Sequence, residues 1–414
     1  MSDTIEPVED FRLRARRWIE ANLERRSAEA ENSHRPDRDR DRRIQTMIFD
    51  AGFAGLAVPR AYGGAGLTLD HQRVWAEETD AYVRPTGYMV SLGIMLPTLL
   101  DHGTEAVKQR HIPRLLRGEE SWIQLLSEPS GGSDMAGALT RATRRGEAYV
   151  ISGSKMWSSN ANYADYGMCL ARVNWDAPKH QGLGMFCVPL KDARVDIKPI
   201  IPAQGGEPHF FIEYFDDVEV PAEYVLGGEG DGWTVAQRLL FHERSATAGV
   251  AYGYGMGGGE SEGRSSWRLN IAEIARRYGS IHAPELAAQI ADDYIDLVVG
   301  MQLGARINAG TRSGKLEGHW GSLLKLGLGI DSPANAETAL AAAGADGVVW
   351  TDGNAGGEVG LNWLRVRGVS IAGGSNEIQR NIVSERLLGL PREPGEDIKA
   401  PFSELMKARS ARRS

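Results

Sequence analysis

A chain of 414 residues, 42% apolar and 25% charged, is long enough to bury a sizeable core and to divide into two or three domains. Its 47 Lys and Arg against 55 Asp and Glu leave a net charge of -8, which argues against nucleic acid as a partner. The stretch Met1–Asp10 is acidic with no apolar signal core, and no run approaches the roughly 18 uninterrupted apolar residues of a membrane span. The expectation is a soluble cytoplasmic protein with no membrane segment.

From Phe11 to about Trp122 the spacing is helical: Phe11, Ala15, Trp18 and Ile19 share one face, and Thr104-Glu105 opens another helix with a capping hydroxyl and an early acid. The run His34-Arg-Pro-Asp-Arg-Asp-Arg-Asp-Arg-Arg43 alternates in sign, lacks an apolar face and reads as a solvated linker or helix edge. Between about Ile123 and Gly232 short β-rich runs (Tyr149–Ser152, Gly167–Val173, Leu183–Leu190) alternate with Gly, Pro and Asp turns, as in a mostly antiparallel sheet or barrel. Cys169 and Cys187 sit inside those runs without metal-ligand spacing, so buried reduced thiols are expected rather than a disulfide or a zinc site. Helical spacing returns after Gly227–Gly232 and persists to Leu388, where Gly389 and Pro391 supply a stop. The predicted fold is α+β in three parts: a helical domain over 1–122, a central β domain over 123–232 and a helical bundle over 233–395, with 396–414 as a mobile tail.

Two distant segments carry the functional signal: Leu126-Ser-Glu-Pro-Ser-Gly-Gly-Ser-Asp134 and Ile371-Ala-Gly-Gly-Ser-Asn-Glu-Ile-Gln-Arg-Asn-Ile382. In the first, small residues allow close backbone approach to a ligand and hydroxyls can donate to its oxygens; a tight turn leading out of a helix is the bland alternative. In the second, Ser375 is placed to cap a helix running through Ile378, Ile382 and Leu387. Together with Tyr62-Gly-Gly-Ala-Gly66, Lys155-Met-Trp157, Pro178-Lys-His-Gln-Gly182 and Val218-Glu-Val-Pro221, these resemble the acyl-CoA dehydrogenase family, in the family's order and over nearly the whole chain to Arg392.

That resemblance implies an acyl-CoA dehydrogenase-like fold and an FAD-dependent α,β-dehydrogenation of an acyl-CoA thioester, with electrons passed to electron-transferring flavoprotein. It implies cofactor contacts at Ser127, Gly132, Ser133, Trp157, Ser159, Ser375 and Glu377. Ser127 would meet the isoalloxazine edge, Ser133 the pyrophosphate, and Trp157 and Ser159 the ring and its N5; a lone tryptophan in a β domain is otherwise a core residue. Many members carry their catalytic glutamate where this chain has Gly373, whose backbone N–H would instead polarise the thioester oxygen.

Some branches place the glutamate on an earlier helix before an arginine, which matches His242-Glu243-Arg244. Counting 100° per residue, Leu239, Leu240, Ala246, Thr247 and Val250 form a stripe with Glu243 in its middle, while Gln237, Arg238, Arg244 and Ser245 lie opposite. An acid on an apolar stripe is a misread face, a buried ion-pair member or a functional carboxylate whose pKa desolvation raises. The family's Arg-x-x-Phe-Gly motif, which holds a neighbour's FAD, is replaced by the glycine-rich run Gly253–Gly263 before Arg264, and its glutamine segment by Ala341–Gly347. This resembles the bacterial branch that assembles from two different subunits, some acting on steroid side-chain or other bulky thioesters. Three functions follow: a catalytic subunit of a homo- or hetero-oligomer, a non-catalytic partner that completes another chain's site, or a flavin monooxygenase or oxidase on the same fold.

Overall fold

Apolar residues at helical spacing build the first helices. In α1 (Val8–Asn22) Phe11, Ala15 and Ile19 are buried and Trp18 packs against Phe53. This computed structural model describes residues 5–26, 37–203, 205–247, 268–349 and 356–413. Helix α2 (Arg38–Asp50) starts on Asp37, whose carboxylate accepts the Arg40 amide at 2.9 Å. The charged run read as a solvated linker or helix edge is therefore a helix start from Arg38 onward, and it has a buried member. Asp41 is buried because its carboxylate accepts the Gly87 amide at 2.8 Å; His34–Pro36 lie outside the described residues. Helix α3 (Leu69–Thr79) and helix α4 (Leu96–His102), the latter entered through a π turn at Ser91–Met95, lead to α5 (Glu105–Arg117). The Thr104 hydroxyl caps α5 by accepting the Val107 amide at 3.2 Å, as the sequence predicts.

Among the described residues eight strands follow: β1 (Trp122–Leu125), β2 (Arg141–Arg145), β3 (Ala148–Ser159), β4 (Tyr166–Arg172), β5 (Leu183–Pro189), β6 (Val195–Ile200), β7 (Phe210–Pro221) and β8 (Val225–Leu226). They form one sheet in the order β6-β7-β3-β2-β4-β5-β8, with β1 beside β4; the β1–β4 and β2–β4 pairings are parallel and the rest antiparallel. Strands β4 and β5 are buried along almost their whole length, which explains their continuous apolar runs. Cys169 and Cys187 are buried free thiols there, and burial pushes Cys169 up to about 12.

Two compact units result. The first comprises Met1–Ile201, Glu207–Gly259 and Gly395–Ser414, and takes in α6 (Gly232–Thr247), which packs on β4, β5, α4 and the π turn. The second comprises Pro202–Gly206 and Glu260–Pro394. Its helices are α7 (Ile271–Arg277), α8 (Pro284–Arg312), α9 (Gly321–Ala343), the short α10 (Ala345–Val348), α11 (Gly356–Val366) and α12 (Asn376–Ile382). Their core is built from small and aliphatic residues, among them Ile271, Ile274, Ala339, Ala342 and Val359. The altered segment Ala341–Gly347 ends α9 at Gly344, which adopts φ 60°, and opens α10.

The C-terminal residues differ from the expected mobile tail. Phe402–Arg413 forms helix α13, and Phe402 at its start is fully buried. Its ring centroid lies 3.9 Å from the Arg172 guanidinium carbon and 5.6 Å from the Trp175 ring. The Phe402 and Ser403 amides donate to the Ala177 and Trp175 carbonyls at 3.0 and 2.8 Å. Burying one phenylalanine contributes about 1.5–3 kcal/mol, which offsets the ordering of a short segment that carries few other apolar side chains.

Candidate active site

A buried ion pair lies beside the loop that carries Ser127. Lys155, fully buried on β3, places Nζ 2.8 Å from the Glu128 carboxylate and 3.2 Å from the Leu126 carbonyl. Glu128 also accepts the Leu139 and Thr140 amides at 2.7 and 3.0 Å. Burial pushes this carboxyl up, yet the Lys155 charge and these donors together hold it below the usual carboxylate value. The loop carrying Ser127 is thus pinned from inside the sheet. It closes on itself through reciprocal Glu128–Gly131 backbone bonds at 3.0 and 3.3 Å. A Cβ added at Gly132 would lie 3.8 Å from the Ser127 Oγ, which places these two candidates side by side. Ser127 is half-buried; Gly132 and Ser133 are exposed.

Trp157 adjoins this loop through the backbone, because the Met156 amide donates to the Ser127 carbonyl at 3.0 Å. The β3–β7 register slips between Met156 and Ser158, so Trp157 is the bulge residue. It adopts φ 68°, a left-handed conformation rare for a bulky side chain. The indole is turned outward, 53% exposed and edge-on to Phe210 at 5.9 Å. Behind the bulge the Ser158 hydroxyl donates to Glu213 at 2.9 Å; burial pushes the Glu213 carboxyl up to about 7. Ser159 ends β3 half-buried, beside Asn160 at φ 59°. An exposed aromatic face on a strained, braced backbone, with hydroxyls and glycines beside it, suits a flavin.

Helix α6 carries Glu243. Its buried ridge is Val235, Ala236, Leu239, His242 and Ala246, and Glu243 is half-buried on the flank of that ridge rather than in its middle. The predicted stripe missed His242, which is buried because its Nε2 meets the Asp101 carboxylate at 2.7 Å. Asp101 also accepts from Arg238, and the two contacts tie α6 to α4. Gln237 and Arg238 are exposed as expected, whereas Arg244 is half-buried. Burial lowers the Arg244 pKa against the opposing charge of Glu243. The Ser245 and Thr247 side chains, Val250, the glycine run Gly253–Gly263 and Arg264 lie outside the described residues.

The remaining candidates belong to the second unit. Gly373 and Gly374 adopt φ 67° and 91°, left-handed values that favour glycine and oppose a side-chain base at 373. The Ser375 hydroxyl caps α12 by accepting the Ile378 amide at 3.3 Å. Buried Gln379 donates to the Gly373 and Gly374 carbonyls at 3.1 and 3.4 Å and shapes the turn. Glu377 is exposed; its own amide, the Ser375 hydroxyl and the Arg380 charge hold its carboxyl below the usual value. Sequence reasoning assigned no role to Glu128, Lys155 or Glu213. The available signal was Lys155 and Glu213 each falling at an inward register position of a central strand.

The described chain combines a helical segment, a mostly antiparallel sheet with a loop and bulge side by side, and a second helical unit. The chain belongs to the acyl-CoA dehydrogenase family, whose N-terminal, middle and C-terminal domains match residues 6–119, 124–217 and 230–388. It is an oxidoreductase with FAD as cofactor. Acyl-CoA dehydrogenase IpdE1 of Mycobacterium tuberculosis is 32% identical over 94% of this chain and 99% of its own length. The Tcur3481-Tcur3483 steroid ACAD has a TM-score of 0.72 at 26% identity, over 94% of this chain and 99% of that one. The ChsE4-ChsE5 complex from Mycobacterium tuberculosis shares the fold, with a TM-score of 0.68 at 22% identity over 95% and 100% of the two chains. Among the described residues no helix is long and apolar enough to cross a membrane.

Proposed function

We propose that this chain converts an acyl-CoA thioester to the trans-2-enoyl-CoA, with Glu243 as the base and electron-transferring flavoprotein as the onward acceptor. Bound FAD supplies the acceptor for the β-hydrogen. Glu243 takes the α-proton, and the Gly373 N–H donates to the thioester oxygen, which acidifies that proton. Ser127, Gly132, Ser133, Trp157 and Ser159 would hold the cofactor, and the family resemblance also assigns Ser375 and Glu377 to cofactor contacts. The steroid activity named for Tcur3481-Tcur3483, together with the overall likeness to it, supports a bulky or ring-bearing acyl group.

The observation that carries this reading is Trp157: an exposed indole on a left-handed bulge, braced from behind and bonded to the Ser127 loop. Strain of this kind persists where the surroundings over-determine it, and it clusters at functional sites. Trp157→Ala is therefore expected to weaken FAD binding or to slow reoxidation by electron-transferring flavoprotein. Full FAD occupancy with unchanged electron transfer would remove Trp157 from the flavin site.

We further propose that the working form is an assembly of two different chains, or one with fewer than one FAD per chain. Support comes from the sequence change at Gly253–Gly263 and from the exposed apolar side chains Tyr294, Ile295, Val299 and Met301 on α8. Native mass spectrometry reads this directly; a homotetramer with FAD in every chain contradicts it.

A further inference from the structure

We propose that the C-terminal segment Gly395–Arg413 is a strap that holds the Ser127–Asp134 loop in its cofactor-binding shape, with Arg409 as a positioning residue acting through Asp134. This rests on reading that loop as an FAD site. The segment lies beyond residue 388, where the match to the family's C-terminal domain ends, yet it packs in the same compact unit as the loop.

Two attachments converge on the loop. At the first, Phe402 closes over the guanidinium of Arg172, itself fully buried. Arg172 in turn donates to the Lys179 carbonyl at 2.6 Å and to the Ala136 carbonyl at 2.5 Å, so the Phe402 anchor bears on the chain two residues past Asp134. At the second, Arg409 donates to Asp134 at 3.1 Å and makes a forked pair with Glu396 at 2.6 Å through each nitrogen. Lys179 completes the cluster, 2.7 Å from Asp134 and 3.7 Å from Glu396. The two carboxylates raise the Arg409 pKa, so its charge is permanent at any working pH.

Asp134 directly follows Ser133, and its carboxylate packs on Gly137, where an added Cβ would sit 2.7 Å from Oδ2. Fixing Asp134 therefore fixes both ends of the short turn from Ser133 to Ala138. A strap that favours the binding shape of the loop must by linkage be favoured in return when FAD binds. Because Asp134 and Arg409 are 43% and 32% exposed, the pair is open to screening by salt.

The test uses the full-length protein in its purified assembly. FAD affinity is measured by fluorescence quenching for wild type, Arg409→Met and Trp157→Ala, and amide exchange at Phe402 and Ser403 is measured with and without FAD. Arg409→Met is expected to weaken FAD binding by about threefold to fivefold, the range of an exposed ion pair within a network. The gap from wild type should close at about 1 M salt, where screening acts within a few ångströms. FAD should slow exchange at Phe402 and Ser403 by a larger factor than at core amides of β4, a difference that a merely stabilising helix would not show. If Trp157→Ala loses FAD affinity while Arg409→Met does not, the strap is overturned and the flavin site stands. Exchange at Phe402 and Ser403 that is indifferent to FAD also overturns it. If neither variant changes affinity, the strap and the site reading fall together.

Discussion

Exchange of Glu243 for Gln is expected to slow thioester-driven flavin reduction by about a hundred- to ten-thousand-fold, the usual cost of losing a general base. FAD and acyl-CoA binding should stay near wild type, because the amide keeps the size and shape of the carboxylate while losing its charge and its capacity to take a proton. The position suits this outcome. Glu243 sits half-buried at the edge of the α6 ridge, and His242 and Arg238 anchor α6 on Asp101. Rapid-mixing absorbance under anaerobic conditions reads the rate. An undiminished rate makes Glu243 structural and moves the base to another residue or another subunit.

Lys155→Met is expected to destabilise the first unit by about 3–5 kcal/mol, because it leaves the Glu128 carboxylate buried without its counter-charge. For a unit of this size that lowers Tm on the order of 10 °C. The double variant Lys155→Met with Glu128→Gln should recover part of the loss, since the remaining amide can still accept from the Leu139 or Thr140 amide without carrying charge. Thermal melting of the three proteins checks this. A Tm within about 2 °C of wild type for Lys155→Met would show that the pair adds little and does not pin the Ser127 loop.

The helices and strands were legible because their apolar residues repeat at the right periods, as at Phe11, Ala15 and Ile19 or along β4 and β5. Motif likeness picked out Ser127 and Trp157, but not why they belong together. The bulge that turns Trp157 outward depends on the β3–β7 register, and no residue preference in Met156-Trp-Ser158 announces a left-handed tryptophan. The Glu128–Lys155 pair joins residues 27 apart, and the His242–Asp101 contact joins residues 141 apart. Such partners appear only once the chain is folded, which is why the predicted stripe of α6 left out the buried His242. The docked tail was hidden for a related reason. One phenylalanine among charged residues gives no periodic signal, and its site, the buried guanidinium of Arg172, is assembled from β4.

The most direct measurement is an anaerobic titration of the purified protein, with whatever chain co-purifies, against saturated straight-chain and ring-bearing acyl-CoA thioesters. Flavin absorbance and product mass are followed together. Bleaching of the flavin by at least one thioester, with stoichiometric formation of a product two hydrogens lighter, is the predicted result, and the ring-bearing thioesters should act faster. A flavin-loaded protein that no thioester bleaches, or one whose product gains oxygen, would contradict the assignment of α,β-dehydrogenation to this site.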